Sequence, residues 1–341
     1  MKYGLLKTGS YNIGDEIQCI ASKRFLPHID YYVNREYTDK FVSNNNEKVK
    51  LIMNHWWLHQ NKHFPPSKCL VPLYVSFHLK YPLRTAEFLK KDVKEHFKKY
   101  EPIGCRDTGT ASFLKKNGID AYFSGCLTTT LLPNQSLKNK FISDYILCVD
   151  VPDKILKEIR KRTNKRVVVI SRHQQICLSR EQRMKLAYFT LFLYHNAACV
   201  ITIALHAAIL STAFQTPVCV IDNGDYERST RFEGLEKLFN NVRIDDFIKH
   251  PEVYDINNPP SNPSTYVAIR DKLVKRCKDF TGYDSNQPTL GDDYNPILDI
   301  AEIMPFDKKN TRNAVMYLEK KDVIKSFVDR IILRKQRYDF I

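Results

Sequence analysis

Four short stretches of this chain hold the residue types that move protons or grip anions, and each stands where an apolar run gives way to a polar one. The first contains Asn12, Gly14 and Asp15. The second contains Asn54 and His55, with His78 at the end of the next apolar run. The third is Gly104-Cys105-Arg106-Asp107, and the fourth is Ala204-Leu205-His206. An imidazole at a strand-to-helix junction can give or take a proton near neutral pH, or donate to a phosphate. An arginine at a helix start offers a planar, bidentate grip on a carboxylate or phosphate. A glycine-containing turn that leads into a helix leaves free N–H groups suited to an anion or a sugar hydroxyl. His206 is the leading acid/base candidate, with a core-packed histidine as the alternative reading.

His55, His59 and His63 recur every four residues, a spacing that invites a metal. No carboxylate stands near them, and Pro65-Pro66 stops any helix soon after. Trp56 and Trp57 suit a sugar platform or a core equally well. No metal and no cofactor is expected.

These groups need a scaffold, and the apolar pattern supplies one. Strands are predicted at 3–7, 49–54, 71–77, 102–106 and 121–124, with helices at 17–25, 85–100 and 107–117, the last stopped by Gly118. Residues 131–140 read as a linker, after which the pattern restarts. Strands at 145–149, 166–171, 198–202 and 218–222 alternate with helices at 179–194 and 206–214, and a further helix covers 266–280. Alternation with short connections predicts an α/β fold with two doubly wound Rossmann-like domains facing a cleft. The expected division is 1–135 for an acceptor-side domain, 136–283 for a donor-side domain, and 284–341 for a loop and a basic helical tail. In such sheets ligands lie beyond the carboxyl ends of the strands, where all four polar stretches fall.

Composition narrows the partners. Across 341 residues the hydrophobic share of 43% is that of a folded globular chain, and the formal net charge is +15. The charge is spread thinly except at Lys161-Arg162 with Lys165-Arg166 and in the tail, where residues 308–337 hold ten basic and three acidic side chains. No zinc-finger, RNA-recognition or helix-turn-helix signature accompanies it, so nucleic acid is not the expected partner. The tail is predicted as a helix packed back on a domain, with peripheral contact to an anionic membrane surface as the sharper alternative. Nine cysteines, an odd number with no C-x-x-C, read as thiols packed in a reducing compartment. The first residues lack the long apolar stretch of a signal peptide, and no run is long enough to span a bilayer. The expected location is the cytoplasm, or the cytoplasmic membrane surface.

Taken in order, the motifs resemble the polysaccharide pyruvyl transferase family. The matching pieces begin with Asn12-Ile13-Gly14-Asp15-Glu16-Ile17-Gln18 and Ile52-Met53-Asn54-His55-Trp56-Trp57. They continue through Val75-Ser76-Phe77-His78, Ile103-Gly104-Cys105-Arg106-Asp107 and Ser124-Gly125-Cys126-Leu127-Thr128. Leu205-His206-Ala207, Thr216-Pro217-Val218 and Arg231-Phe232-Glu233-Gly234-Leu235 complete the set. The resemblance runs from about residue 3 to 280 and implies a GT-B-like fold. It also implies transfer of a pyruvyl group from phosphoenolpyruvate to two hydroxyls of a sugar in a surface or secreted glycan. On that resemblance His206 matches the acid/base histidine, Arg106 the arginine that holds phosphate or carboxylate, and Asp15 the residue that meets an acceptor hydroxyl. Asn12, Gly14, Asn54, His55 and His78 are expected to line the substrate. The family pattern Arg-Leu-His is here Ala204-Leu205-His206. Either Arg172, Arg228 or Arg231 supplies the missing cation, or the donor has changed to a nucleotide sugar, or the chain binds glycan without turnover.

Overall fold

The computed structural model describes residues 1–299, apart from residues 11, 58–62, 81–83, 86–87, 141–143, 173–177, 225–229 and 297. The expected basic tail helix, His59 and Arg228 lie outside the described residues.

The N-terminal strands are β1 (Lys2–Lys7), β2 (Tyr31–Asn34), β3 (Val49–Met53), β4 (Trp56–Trp57), β5 (Leu70–Tyr74), β6 (His78–Leu79), β7 (Ile103–Cys105) and β8 (Ala121–Phe123). Four of them form a parallel sheet in the order β2-β1-β3-β5. Two parallel pairs, β4–β6 and β7–β8, extend the layer, and a single bridge between Phe77 and Cys105 ties the second pair in. The C-terminal strands are β9 (Tyr145–Val149), β10 (Arg166–Ile170), β11 (Cys199–Thr202), β12 (Val218–Asp222) and β13 (Asn240–Arg243). They form one parallel sheet in the order β10-β9-β11-β12-β13. The helices between strands are α1 (Ile13–Lys23), α2 (Lys91–Lys99), α3 (Thr108–Lys116), α4 (Gln135–Lys140), α5 (Asp153–Arg162), α6 (Arg180–Asn196) and α7 (Leu205–Ala213). Two more helices follow, Ile244–Lys249 and Tyr266–Thr281. The fold is the expected pair of parallel α/β layers.

A parallel sheet covered by helices on both faces buries its strands completely, so the central strands are continuous apolar runs. β9 shows this, with Tyr145, Ile146, Leu147, Cys148 and Val149 all buried. Edge strands need less. In β2 and in β13 a single residue is buried, Val33 and Val242 respectively, which is why neither stands out as an apolar run. The strand at 71–77 ends early at Tyr74, and Ser76 adopts a left-handed backbone (φ 56°) that turns the chain. The linker at 131–140 is not wholly irregular: α4 occupies its second half. Helix α5, charged along its outer face, is anchored by Ile155, Leu156 and Ile159.

Each sheet reverses its direction of growth once. From β1 the chain adds β2 on one side and β3 on the other, and from β9 it adds β10 on one side and β11 on the other. Such switch points open a crevice at the carboxyl ends of the strands. The loop after β1 leads into α1, and the loop after β11 leads into α7. The lobes are clasped near these loops. The Ile13 amide donates to the Arg172 carbonyl (3.0 Å), and Arg183 on α6 pairs with Glu16 on α1 (2.7 Å). Helix Tyr266–Thr281 returns to the N-terminal lobe, where Tyr3 Oη donates to the Thr281 carbonyl and Arg24 pairs with Asp284.

Leu147 is fully buried at the centre of β9. Truncating it removes transfer energy and leaves a cavity, so Leu147→Ala is expected to cost about 2–5 kcal/mol. The check is a denaturant titration followed by circular dichroism, in which the midpoint falls clearly below that of the unmodified chain.

Candidate active site

Of the residues singled out in the sequence, Gly14 at the start of α1 and His206 at the start of α7 come together. Asn12 caps α1, its side-chain oxygen accepting from the Gly14 amide at 2.9 Å. Gly14 matters because of what approaches it. A Cβ there would lie 3.0 Å from Asn12 Oδ1 and 3.4 Å from His206 Nδ1, so the missing side chain lets the imidazole of one lobe rest against the helix start of the other. His206 is the second residue of α7 and is 9% exposed. Among the described residues its Nε2 is buried without a hydrogen-bond partner.

Asp15 sits one residue further along α1. Its carboxylate accepts from Ser10 Oγ (2.5 Å) and Gln18 Nε2 (3.3 Å), and lies 3.0 Å from Arg35 Nη1. Burial works against the charge, but Arg35, His55, Ser10 and His206 outweigh it and hold the carboxyl below the usual range. Asp15 is therefore a fixed anion. Asn54 and His55 support it from behind. Asn54 Nδ2 donates to the Gln18 carbonyl (2.9 Å), and His55 Nε2 lies 3.1 Å from the main-chain oxygen of Asp15. Both are fully buried, with their described polar contacts inside the N-terminal lobe.

Arg106 precedes the N-cap of α3. Its amide donates to the Phe77 carbonyl (2.9 Å), which places it beside His78, and its Nε is buried without a partner among the described residues. Burial lowers its pKa, with Arg231 adding to the effect and Cys126, Asp107 and Asp15 opposing it. Asp107, the cap itself, binds Thr110 of α3 and His78 (2.5 Å to Nδ1).

The electrostatics around His206 has one sign in excess. Burial drives its pKa well below the ordinary value. Arg106, Arg172 and Arg231 push the same way, and Asp15 opposes them. Arg172 is paired with Asp150 (2.5 Å) and Arg35 with Asp15, whereas no carboxylate lies within ion-pair distance of Arg106 or Arg231 among the described residues. The result is a buried imidazole, disfavoured as a cation, with an unpartnered nitrogen and surplus positive charge acting on the ring. That arrangement can seat an anion and shuttle a proton to it.

Of the residues expected from sequence, Asp15, Gly14, Arg106, Arg172, Arg231 and His206 are brought into mutual influence across the lobes. Asn12, Asn54 and His55 hold the backbone and the carboxylate in place. His63, from the evenly spaced histidines, lies 3.1 Å from Asp39, and strand β4 follows directly after His55. The sequence reading missed Arg35, which follows the short edge strand β2 in a polar segment. It also gave no role to Asp107, although the Arg106-Asp107 pair was in plain view.

A family model described as polysaccharide pyruvyl transferase matches residues 12–226. None of the curated proteins matches in sequence. Among solved structures, the UDP-GlcNAc 2-epimerase of Methanocaldococcus jannaschii, in complex with UDP-GlcNAc and UDP, is 12% identical with a TM-score of 0.41, covering 80% of this chain and 98% of that one. A variant of the wall teichoic acid polymerase TagF soaked with CDPG is 10% identical with a TM-score of 0.40, covering 89% of each chain.

The buried imidazoles set an acid limit. His55 is held to about 4 and His78 to about 3, each first by burial and then by a neighbouring arginine. His96 and His195 are held to about 4, chiefly by burial. Above pH 6.5 neither the folded nor the unfolded chain protonates them, and their full contribution is present. Between pH 6.5 and about 4 the unfolded chain binds protons that the native one refuses. Stability then falls on acidification by up to about 1.4 kcal/mol per pH unit for each imidazole. Unfolding free energy measured from pH 8 to pH 4.5 should be level above pH 7 and drop from pH 6.5 downward. A curve flat to pH 4.5 contradicts this.

Proposed function

The chain belongs to the polysaccharide pyruvyl transferase family, and on that premise we propose that it transfers the pyruvyl group of phosphoenolpyruvate to two hydroxyls of a glycan, forming a cyclic ketal. The observation that carries the reading is the surplus of arginine charge around a buried, half-unpartnered imidazole. Phosphoenolpyruvate bears a carboxylate and a phosphate on one small skeleton, and it needs both a proton source and several fixed cations.

In this reading Arg106 grips the donor from the N-terminal lobe while Arg172 and Arg231 face it from the C-terminal lobe. The last two take the place of the cation absent at Ala204. Burial and three guanidinium groups hold His206 neutral, and donor charge offsets the guanidinium part, so donor binding raises the affinity of His206 for a proton. His206 then protonates the methylene carbon, the C2 centre becomes electrophilic, and a sugar hydroxyl adds there. Asp15, fixed as an anion by Arg35, stabilises the charged form of the imidazole. The acceptor approaches over the loop after β1. A nucleotide-sugar donor is the competing reading, favoured by Ala204 standing where the family has arginine. A diphosphate could be held largely by main-chain N–H groups at a helix start.

Thermal unfolding separates the two readings. Phosphoenolpyruvate at a hundredfold over its Kd should add about 2.7 kcal/mol of stability, seen as a raised Tm, while UDP- and GDP-sugars leave Tm unchanged. His206→Ala should keep the fold and donor binding, and lose at least ~10²-fold in turnover. A shift with a nucleotide sugar alone, or full activity in the variant, overturns the assignment.

A further inference from the structure

Asp107 is the most fully committed carboxylate near the candidate site. Oδ1 accepts from the Thr110 amide (2.7 Å) and from Arg84 Nη2 (2.8 Å), and Oδ2 accepts from Thr110 Oγ1 (3.0 Å) and lies 2.5 Å from His78 Nδ1. The side chain is fully buried, and His78, Arg106 and Arg84 keep it ionised against the burial. A carboxylate with every neighbour donating is an acceptor only. The proton of His78 must therefore be on Nδ1, which leaves Nε2 with a lone pair.

The dyad is braced on both sides. Arg84 also reaches Glu233 of the C-terminal lobe (3.2 Å) and the Leu79 carbonyl. Gly109 gives the Arg84–Glu233 pair room, since a Cβ there would overlap both groups. The Phe77 amide donates to Gly104 and the Arg106 amide to Phe77, so His78 flanks Arg106 through a short bridge. After burial, Arg106 is the largest influence on both His78 and His206, so one guanidinium acts on two imidazoles. The other charges acting on His78 are Asp107 and Arg84.

We propose that His78, held by Asp107 with Nε2 bare, is a second proton-transfer residue, taking the proton of one acceptor hydroxyl and delivering it to the departing phosphate. This rests on the pyruvyl-transfer reading, and the stoichiometry of that reaction leaves a second proton to be moved. The donor enters with a CH2 terminus and leaves as a ketal CH3. Two C–O bonds form at C2, the C2–phosphate oxygen bond breaks with its electron pair going to phosphate, and the C2–C3 π pair takes up a proton. Two hydroxyls give up two protons, of which one ends on C3 and the other on phosphate. His206 serves C3. His78, on the lobe expected to hold the acceptor, serves the second route. Burial is the main opposition to protonation of His78 and Arg106 the next, so an anion seated on Arg106 removes the second of these and makes the carrier more basic when the donor is present. Asp107 and Arg84 act as positioning residues.

His78→Asn tests the role, because an amide N–H can still donate to Asp107 while no proton carrier remains. Phosphate release from phosphoenolpyruvate with a polysaccharide acceptor is followed from pH 5 to 9. A fall of tenfold or more in kcat at unchanged KM for phosphoenolpyruvate, with loss of one limb of the pH profile, supports the proposal. A smaller fall, or one carried in KM, overturns it and makes His78 a support for Arg106. Histidine-selective 15N NMR of the unmodified chain gives a second readout that needs no variant and no turnover. Nδ1 protonated and Nε2 bare agrees with the proposal, and the reverse tautomer overturns it. An unmodified chain with the expected tautomer that releases no phosphate counts against pyruvyl transfer rather than against the dyad.

Discussion

A titratable ring is buried where two helices from different lobes begin, and everything nearby answers to that fact. His206 rests against Gly14 because each sheet switches direction once and sends its next helix out of the crevice so formed. Burial strips the ring of water and disfavours its charged form. That burial is the main cause that keeps it neutral, arginines from both lobes push the same way, and Asp15 alone among the principal influences on it pulls the other way.

The surrounding ion pairs distinguish charges that build the site from charges left for a ligand. Arg35 with Asp15, Arg172 with Asp150 and Arg183 with Glu16 are matched pairs, largely out of water. Pairs of this kind add little net stability when compared with apolar packing, but losing one partner strands the other. They are better read as fixing geometry. Arg183 with Glu16 holds the first loop to the C-terminal lobe, and Arg84 with Glu233 does the same for the third. Against this matched background Arg106 has a buried Nε without a partner among the described residues, and after burial it is the largest influence on His206.

Much of the architecture was legible because central parallel strands must be apolar along their whole length. The runs at 145–149 and 218–222 coincide with β9 and β12 to the residue. The edge strands β2 and β13 were not legible, since a strand paired on one side needs only one buried side chain. At the candidate site, sequence located loops but could not show where each polar atom is spent. Asn12, Asn54 and His55 looked equivalent to Asp15 and His206. The fold turns the first three toward their own backbone and brings the last two together. Arg35, Arg84 and Glu233 lie in polar segments without periodicity, and only tertiary contact reveals what they hold. The charge surplus is likewise a property of packing, because Arg106, Arg172 and Arg231 are far apart in the chain.

The most direct measurement follows the proton to carbon. A glycan acceptor is incubated with the protein and phosphoenolpyruvate in D2O and analysed by mass spectrometry and NMR. The account predicts a ketal whose methyl group carries a single deuterium, formed by the unmodified chain and absent with His206→Ala. An acceptor left unchanged, or one that gains a sugar only when a nucleotide sugar is supplied, would contradict it.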